Sequence, residues 1–450
     1  MKWLRDPDLR KWLVPGMGVK RWFLLFFLGM ALLGLGFAYL AREAYVAVTL
    51  PDAFYYVTLQ FIPRVARGLL FIGTAVLFVG VGVWKFNANL LAAVRESGRS
   101  RGAHQERLVN AIYRQRFSGR GPRVVAIGGG TGLSVLLRGL KEYTDKITAV
   151  VTVADDGGSS GRLRRELGVI PPGDLRNCVA ALADAEPLMT RLFQYRFGKG
   201  AGEALEGHSF GNLFIVAMSE VTGSMEEAIR ETSRVLAVRG QILPSTLEDV
   251  HLAATTRDGR TIRGESAISA AETEIALVRL EPGQPSAHPE AVNAIRNADL
   301  IVVGPGSLYT SVLPNLLVPD LRLAFLESRA MKIYVSNVAT QHGETDHFSV
   351  QDHLRALEEH VGGSPFHFLI ANSNLASHLP RRWRSEPVRV SPQPLPADSP
   401  THLVATDVVD VTNRYRHDPQ KLADAILTLY HEQGEAAPRR REPVRLVSTV

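Results

Sequence analysis

The chain has 450 residues and a net charge of +6, long enough for more than one domain and a sizeable core. Its one cysteine, Cys178, excludes an intrachain disulfide and a cysteine-rich metal site, fits a reducing compartment and reads as a small buried hydrophobe. Residues 1–123 carry 18 Lys and Arg against 6 Asp and Glu, a net +12 that leaves −6 for residues 124–450, which argues against nucleic-acid binding there.

Residues 1–21 hold six basic side chains, and residues 22–41 then run without a charge. Twenty helical residues cover about 30 Å, the thickness of a bilayer's hydrocarbon. A second uncharged run, 68–84, lies between Arg67 and Lys85, which can snorkel to the interfaces. The pattern predicts a two-helix transmembrane hairpin over 22–86. A cleaved signal peptide is disfavoured by the second run and by the lack of a small-residue cleavage site. Between the runs stand only Arg42, Arg64 and Arg67, whereas residues 85–123 hold nine basic side chains, so both ends are expected on the cytoplasmic side. The hairpin loop, 44–63, is itself apolar, and its role is not legible. Residues 87–122 form a basic linker, with an amphipathic or solvated helix predicted over 105–117.

From residue 123 onward apolar runs alternate with helical patterns, which predicts an α/β fold with a mostly parallel sheet. Val124 to Ile127 reads as a strand, Leu133 to Leu140 as a helix and Ile147 to Val153 as a second strand. Val250–Thr256 and Arg260–Glu265 form a hairpin around Asp258-Gly259, and Ala276–Glu281 adds a strand. Leu300–Val303, Lys332–Ser336 and Phe366–Ala371 are buried strands. Residues 376–408 read as irregular; within 396–450 a helix over 419–432 and a disordered tail are expected.

Four loops after apolar strands carry the chemistry: 128–134, 155–162, 304–311 and 337–344. In an open parallel sheet such loops share one edge, where ligands bind. Glycines allow close backbone approach, and the N–H groups at a helix start hold an anion. Residues 128–134 match neither G-x-G-x-x-G nor a Walker loop, so the reaction class stays open; a tight turn is the bland alternative. Asp155 and Asp156 diverge on an extended chain. One is placed to meet a ribose or a divalent cation and the other to cap the next turn. Arg162 and Arg164 are candidate pyrophosphate partners. His208 is either a general base or a hydrogen-bonding structural residue. No Ser/His/Asp order, H-E-x-x-H or metal cluster appears in the sequence.

Six blocks in order resemble the gluconeogenesis factor (YvcK) family of the CofD-like superfamily. They are GGGTGLS (128–134), ADDGGSSGRLR (154–164), PPGDLRN (171–177), GHSFGNL (207–213), GPGSLYTSVLPNLL (304–317) and NVATQHGET (337–345). The resemblance covers residues 123–395 and implies a Rossmann-like, CofD-type fold binding a UDP-sugar, notably UDP-N-acetylglucosamine, or a dinucleotide. It implies regulation of cell-wall precursor use, cell shape and gluconeogenic growth rather than a fixed reaction. A transferase acting on a nucleotide-linked substrate, as in the related phospholactate transferases, is the alternative. The membrane anchor departs from the soluble members of the family. By matching position, Gly128, Gly129, Gly130, Thr131, Gly132, Leu133 and Ser134 would hold the diphosphate. Asp155 and Asp156 would lie near the ribose or a divalent cation. Ser159, Ser160, Arg162, Asp174, Asn177, His208 and Asn212 would surround the ligand, with Gly304, Gly306, Ser307, Tyr309, Asn337 and Gln341 opposite. The expected partners are the nucleotide sugar, the cell membrane, cell-wall synthesis proteins and a second copy of the chain, and no nucleic acid.

Overall fold

The computed structural model describes residues 121–184, 187–375, 383–396 and 399–436, with scattered positions between 30 and 81. It divides into two units, Met1–Arg116 and Phe117–Val450. In the first unit residues 65–75, Thr74 among them, are helical and leave Leu69, Phe71 and Ile72 exposed. Most of the two uncharged runs, the linker up to residue 120 and the tail beyond 436 lie outside the described residues. Among the described residues no helix is long and apolar enough to cross a membrane.

The second unit opens with β1 (Val124–Gly128), α1 (Gly130–Leu140) and β2 (Ile147–Val151). It runs through α2 (Gly158–Leu167), α3 (Gly173–Leu182), α4 (Pro187–Gln194), α5 (Phe210–Thr222) and α6 (Met225–Val235) to β3 (Gln241–Pro244). An antiparallel insertion follows, with β4 (His251–Thr256), β5 (Thr261–Arg263), α7 (Glu265–Ala270) and β6 (Ile275–Glu281). Next come α8 (Pro289–Arg296), β7 (Leu300–Val303), a π-helical turn at Leu308–Val312, α9 (Leu313–Leu316), α10 (Pro319–Glu327) and β8 (Met331–Val335). The chain ends through α11 (Val350–Val361), β9 (Phe368–Asn372), β10 (His402–Thr406) and α12 (Pro419–Ala436).

Seven strands form one sheet in the order β10-β9-β8-β7-β1-β2-β3, and every neighbouring pair is parallel. β1, β7 and β9 are buried along their whole length, which explains their continuous apolar sequences: helices cover both faces of a parallel sheet. Strand order reverses between β1 and β7, where Ala126 pairs with Ala149 on one side and Val302 on the other. That switch point is where an open α/β sheet leaves a crevice outside the strands' carboxyl ends.

The sheet extends past the expected boundary at 395. β10 pairs with β9 from His402 to Thr406, inside the stretch read as irregular. Its five residues, HLVAT, are half exposed at the sheet edge and follow a proline-rich stretch, so they carry no clear strand period. α12 then packs back on α1. A Cβ at Gly139 would lie 2.0 Å from the Pro419 carbonyl oxygen, so only glycine fits there. The short strand β3 was also not anticipated, because four residues ending in proline carry little period. β4, β5 and β6 form a separate antiparallel sheet with the expected hairpin.

Candidate functional site

The four loops follow β1, β2, β7 and β8 and so leave the same edge of the sheet. Two of them meet backbone to backbone. A Cβ at Gly132 would stand 2.4 Å from the Pro305 carbonyl oxygen, and one at Gly306 would stand 3.3 Å from the Gly129 oxygen. Gly130 has φ +64°, the left-handed region in which a side chain is strained. The buried Asn315 ties the loops to the sheet by donating to the carbonyls of Gly128 (3.1 Å) and Ser311 (2.9 Å). Between the loops lies a cavity of about 140 Å³ lined by Gly129–Gly132, Pro305–Ser307, Ser311, Asn337, Gln341, Tyr415, Arg416 and His417. A larger cavity of about 260 Å³ sits at the β3 edge, but its lining Arg230 is already paired with Glu226 and Glu227. We place the site at the smaller one, on the switch point.

Several expected contacts are occupied by the protein itself. Leu133 is a core side chain, and the Ser134 hydroxyl donates to the Gly130 carbonyl (3.0 Å). Asn337 brackets Gly306, accepting from its N–H (3.1 Å) and donating to its carbonyl (2.8 Å). Ser307 donates to Gln341, which donates to Glu344 (2.7 Å). Tyr309 points away from the crevice. It is buried in the π-helical turn against Phe348 and His360, and burial pushes its hydroxyl up to about 12. The expectation that Tyr309 contacts the ligand is therefore corrected. Gly304 ends β7 with φ +74°, and Thr131 faces solvent at the cavity wall.

Asp155 and Asp156 do diverge. Asp156 accepts the Ser266 N–H at the start of α7 (2.9 Å), fastening the antiparallel insertion to the crevice. Asp155 accepts the Gly157 N–H (2.8 Å), and its other oxygen would stand 3.2 Å from a Cβ at Gly173. Asp174 lies against the glycine loop. Its carboxylate accepts from the Gly130 N–H and the Asn177 side chain, and an oxygen would stand 2.5 Å from a Cβ at Gly129. Ser159 lies 3.0 Å from His208 Nδ1 and accepts from Asn212 (3.0 Å), which also reaches Ser160. Burial lowers His208's proton affinity, with Arg162 adding to it, so the ring is neutral near pH 7. Arg164 is not available to a pyrophosphate, since Asp249 and the Val250 carbonyl hold it.

Two carboxylates that the sequence reading did not single out complete the acidic wall. Glu344 is buried and accepts from Ser269 (3.1 Å), Thr310 (3.1 Å) and Gln341 (2.7 Å) on one oxygen, while its other oxygen has no partner. Burial raises its pKa to about 7. Half-buried Glu265 is pushed to about 9 by burial and then by Asp155, Asp174 and Glu344. Burial and Asp155 bring Asp174 to about 6. Carboxyl groups so displaced gather at functional clefts. Among the described residues no group of three or more His, Cys, Asp or Glu is placed to hold a metal ion.

The family described as 2-phospho-L-lactate transferase CofD matches residues 124–409. A putative gluconeogenesis factor of Nostoc is 45% identical over 429 residues, covering 93% of this chain and 92% of its own. This chain belongs to the gluconeogenesis factor family, of CofD-like type. The gluconeogenesis factor of Bacillus subtilis is 46% identical over 319 residues, 70% of this chain and 100% of its own length. A crystal structure of a Bacillus halodurans protein matches with TM-score 0.64 and 44% identity, over 68% of this chain and 99% of that one. The family thus includes a shorter form equivalent to the α/β unit. It also includes a longer form, shared with the Nostoc relative, that takes in most of the first 116 residues. The N-terminal segment is not peculiar to this chain.

The sequence blocks pointed to most of these residues. Glu265, Glu344, Tyr415, Arg416 and His417 escaped for different reasons. Glu344 sits inside the 337–345 block, where only its burial marks it. Residues 415–417 return to the crevice from beyond β10, which no local pattern announces.

Proposed function

We propose that this protein is a UDP-N-acetylglucosamine-binding regulator of cell-wall precursor use, cell shape and gluconeogenic growth, tethered to the membrane by residues 22–41 and 68–84. One observation carries the ligand reading: glycine loops 128–132 and 304–306 face each other at the switch point around a cavity walled by backbone. Such walls suit a diphosphate, with Arg416 beside them. The neighbouring acidic wall suits the neutral hydroxyls and amide of a sugar better than a second anion.

Calorimetry on the full chain tests this. UDP-N-acetylglucosamine should bind with a 1:1 stoichiometry and be recovered intact. Heat-silent titration at millimolar ligand would sink the reading. Release of UDP or UMP would instead favour the transferase alternative, which Asp174 and Glu344 support because carboxyls titrating near pH 6 to 7 exchange protons at cellular pH.

The tether rests on the two uncharged runs and on the exposed apolar side chains of residues 69–72. Full-length chain should sediment with membranes and resist carbonate extraction, while a chain starting at residue 121 should not. A full-length chain that stays in the supernatant without detergent refutes it.

A further inference from the structure

Three arginines converge on the turn Gly207–Gly211 without a carboxylate to neutralise them. Arg162 on α2 donates to the Glu206 carbonyl, and Arg196 donates to the Gly207 carbonyl. Arg176 on α3 lies along the first turn of α5. A Cβ at Gly211 would stand 2.9 Å from its Cγ and Cδ, so glycine is needed for the guanidinium to pass. Other arginines of the same unit are paired: Arg164 with Asp249 and Arg239 with Asp184. Among the described residues Arg162, Arg176 and Arg196 have no carboxylate within 4.0 Å.

Arg176 is the informative member. It is only 8% exposed, yet its polar partner is the neutral Asn177 oxygen (2.8 Å), and its Nε has none. A buried cation with an unmet donor costs free energy unless something pairs with it. Burial and then Arg196 depress its proton affinity; Asp174 and Asp155 oppose this from further away. The starts of α2, α3 and α5 pack against one another beside this turn. Asn212 in the first turn of α5 bonds Ser159 in the first turn of α2 (3.0 Å), and a Cβ at Gly173, which opens α3, would stand 2.3 Å from Ser160 Oγ.

We propose that Arg162, Arg176 and Arg196, around the Gly207–Gly211 turn, form a second oxyanion subsite, which takes the phosphate of a phosphorylated small molecule separately from the nucleotide crevice. This gives a function to Arg176 and to the 207–213 block, which do not line the glycine-loop cavity. Arginine guanidinium forks match phosphate geometry, and a tetrahedral oxyanion can accept from Arg176 Nε and from its neighbours at once.

The test is equilibrium dialysis of the full chain in detergent against radiolabelled inorganic phosphate. Wild type should bind phosphate, and Arg176→Gln should weaken that binding at least about tenfold. Arg196→Gln, exposed and held only by a carbonyl, leaves the fold alone and should weaken it about threefold, so the proposal stays testable if Arg176→Gln does not fold. Gly132→Val, which forces the two walls of the glycine-loop cavity apart, should keep a phosphate-binding site. No phosphate bound to wild type overturns the proposal. Unchanged binding in the folded arginine variants does so too, as does loss confined to Gly132→Val.

Discussion

Gly132→Val should abolish binding of UDP-N-acetylglucosamine, weakening it by at least about a hundredfold, or about 2.7 kcal/mol. The reason is local. A Cβ at residue 132 would stand 2.4 Å from the Pro305 oxygen and 2.7 Å from its carbonyl carbon, and both are backbone atoms. A carbonyl in a bracketed loop cannot rotate away as a side chain would. Asn337 grips Gly306 from both sides, so the 304–306 loop moves as a piece or not at all. The added isopropyl group therefore drives the two walls of the cavity apart. The diphosphate then loses the simultaneous N–H contacts that make a helix start an anion site. The helix register of α1 survives, because Leu133, Leu136 and Leu137 anchor it in the core. Calorimetry with unfolding controls reads the effect; Gly132→Val that still binds like wild type would mean the ligand sits elsewhere.

The second large effect concerns Glu344. Its folded pKa of about 7 lies above its ordinary 4.5 because the carboxyl is buried. Its contribution therefore favours the fold fully below pH 4.5 and is lost as pH rises through 7. Glu344→Gln removes the proton linkage and keeps the shape. The variant should match wild type near pH 5 and exceed its stability by about 2 kcal/mol at pH 8. Urea unfolding at several pH values measures the difference. The same substitution should lower nucleotide-sugar affinity, since Glu344 holds Ser269, Thr310 and Gln341 and thereby joins α7 to two ligand loops. A flat stability difference across pH would contradict the burial of a titrating carboxyl. Such a residue, costly to the fold at cellular pH, belongs to the pattern of sites that trade stability for function.

The parallel sheet was legible because its central strands are buried on both faces and so read as unbroken apolar runs. The convergence of four loops followed from one rule about parallel strands. What local sequence could not carry was edge and return structure: β3, β10 and residues 415–417 are placed by contacts far away in the chain. The same limit explains Tyr309, whose direction is decided by a π-helical turn rather than by the residue type. It also explains Asp156, whose partner, the Ser266 N–H, lies 110 residues on. The acidic wall needed three dimensions, since Asp155, Asp174, Glu265 and Glu344 come from four separate segments. His208 needed the structure for a different reason. Its bonded neighbour, Ser159, was in view, but nothing in the spacing joined them.

The most direct measurement is a structure of the full chain soaked with UDP-N-acetylglucosamine. Density for the diphosphate should lie in the cavity lined by residues 129–132 and 305–307, on the N–H groups of Thr131 and Gly132, with Arg416 beside it. A ligand bound away from the switch point, or none at saturating concentration, would contradict the account.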